Sequence, residues 1–199
     1  MTIVPKRLGL KFNLKQQPTL EPEDILPIFQ RWIQDHTLEG MLIDVIDYKH
    51  VPDGPGVVLI ADEADLAYDL TDGEIGLYYI RKRDLPDELD EALRLVFRGA
   101  LAAALALEAE APADIVFDFG SAKISFLDRM TYRNTAEIFA DARPIMTELL
   151  SGIYGQAVSV SRFYDDPRAV FALRCTVTDG GETDAKALSA RLAKNRQTA

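Results

Sequence analysis

The chain has 199 residues, 48% hydrophobic and 27% charged, enough to bury a core without disulfide or metal staples. Its formal net charge is −10 and its pI is near 4.7, which disfavours phosphate backbones and anionic lipid and so argues against nucleic-acid and membrane partners. Cys175 is the single cysteine; it rules out an intrachain disulfide and fits a reducing, cytoplasmic setting.

No CxxC pair offers a structural zinc site. No run reaches 18 apolar residues, and the N-terminal MTIVPKRLGLKF lacks the apolar core of a signal peptide. One α+β domain over 1–177, followed by a polar tail over 178–199, is expected.

In chain order, RLGLKFNLK (7–15) alternates. Leu8, Leu10, Phe12 and Leu14 share one face, and Lys11, Asn13 and Lys15 the other, the pattern of a half-buried strand. A helix is predicted from Glu23 to Thr37, with Asp24 as N-cap and Pro27 in its first turn. Ile25, Phe29, Trp32 and Ile33 recur on its apolar face.

The stretch Met41–Asp62 carries the densest polar chemistry. Two apolar runs flank Val51-Pro52-Asp53-Gly54-Pro55-Gly56, whose Pro-Asp-Gly is turn chemistry, so a β-hairpin is predicted. Apolar residues on both faces of its first strand suggest a central, covered position. Alternation puts Asp44, Tyr48 and His50 on one face. Folding about Asp53 and Gly54 is expected to bring Asp44 near Asp62 or Glu63, and paired carboxylates need a cation, a shared proton or water. Asp44, Tyr48, His50, Asp53 and Asp62 are therefore the candidate ligand-binding cluster. The plainer alternative is a hydrated rim on which Tyr48 and His50 pack by their rings.

Six acids fall between Asp62 and Glu74. An EF-hand loop fails there, because counting back from Gly73 puts Tyr68 and Leu70 at its first and third ligand positions. Asp72-Gly73 instead reads as a turn into a strand over 75–81. Arg81-Lys82-Arg83, the only tight basic cluster, reads as a strand end.

A long helix is predicted over Pro86–Glu110, capped by Asp84, with small residues such as Gly99 and Ala102–Ala104 suited to close packing on a sheet or a partner subunit. A second hairpin is predicted from 115–119 and 123–127 about Gly120-Ser121. A third helix is predicted over Thr135–Tyr154, kinked or split by Pro144. A third hairpin joins 158–164 to 169–177, with Cys175 packing as a small hydrophobe. Residues 178–199 read as a frayed helix or a disordered tail.

An internal echo relates 7–62 to 120–177. The order strand, helix, strand, turn, strand recurs, with Tyr48 matching Tyr164 and Val57 matching Val170. The predicted fold is thus α+β, a mostly antiparallel sheet built from two βαββ units with a long helix between them.

The strings FQRWIQ, LIDVIDYKHVPDGPGVVLI and GLYYIRKR resemble an uncharacterised bacterial protein family with a RWIQ…LIDV-DY-HV--GPGV-L pattern. The resemblance covers mainly residues 29–83 and, more weakly, 115–150. It implies a cytoplasmic α+β protein and no particular activity. Relatives carry a histidine before Glu-Ala-Asp, where this chain has Asp62, so a metal reading at that position does not carry over.

No GxSxG elbow, phosphate-binding Gly-rich loop or metal-ligand set appears. The expected function is a homodimeric binding module for a protein or small ligand. The alternative is a metal-dependent or general-base enzyme using the hairpin 44–62, with His50 as base or ligand and Asp44 and Asp62 as carboxylate partners. No cofactor is indicated.

Overall fold

The computed structural model of the protein describes residues 4–51, 53–178 and 183–194. Pro52 of the predicted turn and residues 179–182 and 195–199 of the predicted tail lie outside the described residues.

The fold is α+β. Strands β1 (Leu8–Asn13), β2 (Leu42–Asp47), β3 (Val57–Ala61), β4 (Ala64–Asp69), β5 (Gly76–Arg81), β6 (Ser121–Phe126), β7 (Val158–Arg162) and β8 (Phe171–Val177) form one sheet. Their order is β2-β3-β4-β5-β1-β6-β8-β7, and every neighbouring pair is antiparallel. Helix α1 (Pro22–Asp35) packs on β2 and β3, and α2 (Leu89–Glu110) on β1 and β5. Helix α3 (Ala136–Tyr154) packs on β7, and α4 (Ala185–Lys194) lies on α2 and α3. No described helix is long and apolar enough to cross a membrane.

Strand alternation decides which face the helices take. Leu8, Leu10 and Phe12 join one apolar cluster with the helices, and the Phe12 ring meets Phe97 of α2 edge-on at 6.1 Å. The same face carries Leu59, Leu66, Ile124 and Leu173. Between these residues, Gly9, Lys11 and Asn13 turn to the face that no helix covers.

Four expectations are corrected. First, β2 is an edge strand, not a covered one, with Met41 66% and Ile43 53% exposed. Its two-sided apolar pattern arises because the register shifts between Leu42 and Asp44, so Ile43 is the extra residue of a bulge.

Second, Ile115–Phe119 does not form a hairpin with β6. Phe117 bridges to Leu14, Lys15 N–H donates to Val116 at 2.8 Å and Asp118 N–H donates to Asn13 at 2.8 Å. The segment continues along β1 on the side that β6 occupies, and Gly120 marks an interruption in that path rather than a reversal.

Third, α3 is a single helix that Pro144 does not split. Pro144 and Ala140, whose carbonyl loses its partner, are both exposed. Thr135 caps this helix by accepting from Ile138 N–H at 3.3 Å.

Fourth, residues 185–194 form a packed helix rather than a tail, because Leu188 and Leu192, one turn apart, are buried. Smaller shifts occur at two starts. Helix α2 begins at Leu89, after Asp84 takes a left-handed conformation (φ 52°). Asp24 is not the N-cap of α1; it reaches back to accept from Glu21 N–H at 3.0 Å.

Candidate functional site

The uncovered face of the sheet holds a row of cations. In register, Lys11 on β1 lies opposite Lys123 on β6, and Lys123 lies opposite Arg174 on β8. Like charges side by side on neighbouring strands repel. The chain answers with the end of β4 and the segment that joins it to β5, where three acids reach one cation each. Asp69 Oδ2 lies 2.6 Å from Lys11 Nζ. Asp72 pairs with Lys123, and Glu74 Oε1 lies 2.8 Å from Arg174. Thr71–Gly73 forms a single 3-10 turn, with Asp72 at φ 67°. That left-handed conformation is one Asp tolerates better than most residues.

The first pair is the most deeply buried: Lys11 is 1% exposed and Asp69 2%. Lys11 Nζ also donates to the carbonyls of Thr71 at 3.2 Å and Glu74 at 2.5 Å, so its three donors are all used. Asp69 accepts again from Thr71 Oγ1 at 2.7 Å. Burial lowers the Lys11 pKa, against the opposing pull of Asp69.

The second pair sits among aromatic rings. Lys123 Nζ donates to Tyr164 OH at 2.7 Å and lies 4.5 Å from the centre of the Phe163 ring and 4.9 Å from that of Tyr164. Tyr164 OH in turn donates to Asp72 Oδ1 at 2.8 Å. Burial pushes the Asp72 carboxyl up, but hydrogen bonds from Lys123 and Tyr164 outweigh it and hold the group below its usual range. Burial, and then the Asp72 carboxylate, drive the Tyr164 phenol well above its ordinary value. Tyr78, opposite Lys11 on β5, has its phenol pushed up to about 12 by burial. Gly9 makes room for that ring: a Cβ there would lie 2.6 Å from Tyr78.

This cluster closes one end of a cleft of about 880 Å³ on the uncovered face, within the size range of small-molecule sites. Its floor is Val58, Ala67 and Tyr78, which are cross-strand neighbours on β3, β4 and β5. Tyr48, Asp53 and Pro55 from the β2–β3 turn form one wall. Tyr164, Leu127 and Val170 line the side formed by the second half of the chain.

Of the five residues expected at the site, Tyr48 and Asp53 line this cleft. His50 is exposed at the turn, its ring stacked on Tyr48 with centres 6.4 Å apart. Asp44 is exposed and accepts from Val45 N–H at 2.8 Å. Asp62 pairs with Arg83 at 2.6 Å. The expected Asp44–Asp62 juxtaposition does not form in register: Asp44 lies opposite Ile60, and Asp62 N–H donates to Met41. Among the described residues, no group of three His, Cys, Asp or Glu could hold a metal ion.

Sequence reasoning missed Lys11, Asp69, Asp72, Lys123 and Tyr164. Two signals were present, the polar face of the first strand and the six-acid window. No family model and no curated protein matches the chain.

Proposed function

We propose that this protein is a binding module whose ligand is a small molecule seated on the uncovered sheet face. The observation that carries the reading is the cleft itself, an apolar floor with polar groups converging at its walls, the usual construction of a small-molecule site. Binding is favoured over catalysis because the polar end is spent on itself. Lys123 donates to Asp72 and Tyr164, and Tyr164 donates to Asp72. Its raised phenol is a poor base at neutral pH. His50, the base of the enzymatic alternative, lies exposed and is not part of the cleft lining.

The test is a thermal-shift screen of small metabolites on the wild type and on Tyr48→Ala in parallel. A ligand at ~100-fold its dissociation constant adds about 2.7 kcal/mol to stability. A shift in the wild type that Tyr48→Ala reduces supports the cleft. A shift that Tyr48→Ala, Ala67→Phe and Lys123→Met all leave unchanged refutes it.

We also propose that the module is a homodimer, with edge strand β2 as the contact. Met41 and Ile43 are exposed there, and an apolar edge invites strand pairing. Sedimentation of the wild type should give a dimer that Ile43→Lys converts to a monomer. A wild-type monomer at high micromolar concentration refutes that contact.

A further inference from the structure

We propose that the ligand of this cleft is an organic cation, an amine or guanidinium on an aromatic or aliphatic body; this deepens the cleft reading above and rests on it. Acceptors outnumber free donors in the lining. Four carboxylates line the cleft, those of Asp53, Asp65, Asp69 and Asp72, and Lys123 is the one lysine or arginine in the lining. Lys123 directs hydrogen bonds at Asp72 and Tyr164 and lies against three aromatic rings, those of Tyr78, Phe163 and Tyr164. Thr71 and Tyr164 donate to Asp69 and Asp72. An incoming anion therefore meets a lysine that already has partners, and must break the Lys123–Asp72 pair to be held by that charge.

Acceptor capacity is left over. Lys82 takes one oxygen of Asp65, at 2.7 Å, and leaves the other. Asp53 makes no ion pair among the described residues. The lining carboxylates are matched by Lys11, Lys82 and Lys123 alone, which leaves one negative charge uncompensated. The chain's net charge of −10 adds a field of the same sign. Lys123 already lies over the rings of Tyr78 and Tyr164, but Tyr48 lines the same cleft at the Asp53 wall, and ring faces attract ammonium and guanidinium groups. The floor of Val58 and Ala67 offers the apolar body of such a ligand a dry seat.

The experiment is an NMR titration of the full chain with two probes matched in ring and chain length, phenethylamine and 3-phenylpropionate. Backbone amides of Asp53, Gly54, Gly56 and Ala67 report on the cleft. The expected result is saturable shifts with phenethylamine, none with 3-phenylpropionate, and at least tenfold weaker amine binding in Asp53→Asn plus Asp65→Asn. Asn keeps the size of Asp and tolerates the positive φ of Asp53 (54°), so the variant tests charge rather than folding.

Binding of 3-phenylpropionate as tight as that of the amine, or amine binding indifferent to the two substitutions, overturns the cation assignment while leaving the cleft as a site. Shifts from neither probe at concentrations up to tens of millimolar overturn both.

Discussion

The buried pair Lys11–Asp69 is the sharpest test of how the uncovered face is held. Both side chains are almost fully out of water. Removing one partner of such a pair leaves a buried charge unmatched and costs about 3–5 kcal/mol. For a chain of this size each kcal/mol moves the melting temperature by about 2–4 °C, so Asp69→Ala should lower it by about 6–20 °C. Replacing both partners with apolar residues of similar volume is often neutral or stabilising. Lys11→Met with Asp69→Leu should therefore recover most of that loss. Recovery will be incomplete, because the carbonyls of Thr71 and Glu74 lose their donor. Both residues are only half-buried, so water can replace part of it. Urea denaturation of the wild type, Lys11→Met, Asp69→Leu and the double variant gives the coupling energy directly. A loss under about 1 kcal/mol in Asp69→Ala, or strict additivity of the two substitutions, would refute the claim that these charges hold each other.

Other predictions concern acid, alkali and the C-terminal helix. The Asp72 carboxyl is held below its ordinary 3.8 in the fold; its contribution is therefore full above that value and lost as pH falls through the folded pKa. Asp72→Asn should flatten the acid limb of stability against pH, and an unchanged limb contradicts the Lys123–Asp72–Tyr164 assignment. At the other extreme, burial pushes Tyr68, Tyr78 and Cys175 each up to about 12. The unfolded chain loses these protons first, so stability is full below about pH 9 and should fall as pH rises through 9–12. The buried Cys175 thiol should resist a disulfide exchange reagent in the native protein and react at once in denaturant; fast native labelling would show that β8 opens. Leu188→Ala should cost about 2–5 kcal/mol in a denaturation series, whereas a frayed tail would lose almost nothing.

How far the sequence foretold this molecule can be followed residue by residue. The alternation of β1 was legible: Leu8, Leu10 and Phe12 face the helices, and Lys11 faces away, but the strand is not half-buried, because Lys11 is covered by the acidic turn. The β2–β3 hairpin was legible too, because its turn chemistry is local. The edge position of β2 was not, since one bulged residue, Ile43, makes a one-sided strand read as two-sided. The pairing of Phe117 with Leu14 escaped for a related reason. Two short apolar runs about a Gly-Ser look alike whether the chain reverses or carries on along the same neighbour. In α4, Leu188 and Leu192 stand at helical spacing, but the surrounding lysines and arginines masked the pair. The acid segment was visible as composition. Its role was hidden because it depends on β6 lying beside β1, a contact between residues far apart in the chain.

The strand order gives a physical reason why the polar chemistry gathers where it does. β1 and β6 lie side by side and antiparallel inside the sheet, with four strands beyond β1 and two beyond β6, while β2 and β7 take its two edges. That arrangement is compatible with the proposed echo of 7–62 in 120–177. The halves differ by one hairpin: β4 and β5 stand between β3 and β1, whereas β8 pairs with β6 directly. Two consequences follow from that hairpin. Ala67 and Tyr78 extend the uncovered face and supply part of the cleft floor. The Asp69–Glu74 connection reaches back over β1, β6 and β8 and neutralises a cation on each. Tyr48 and Tyr164, the matched tyrosines of the echo, both line the cleft, one beside the first-half turn and the other within the Lys123 cluster. On this view the site belongs to neither half alone. It arises where the β4–β5 hairpin widens the sheet and its acidic turn reaches β1, β6 and β8.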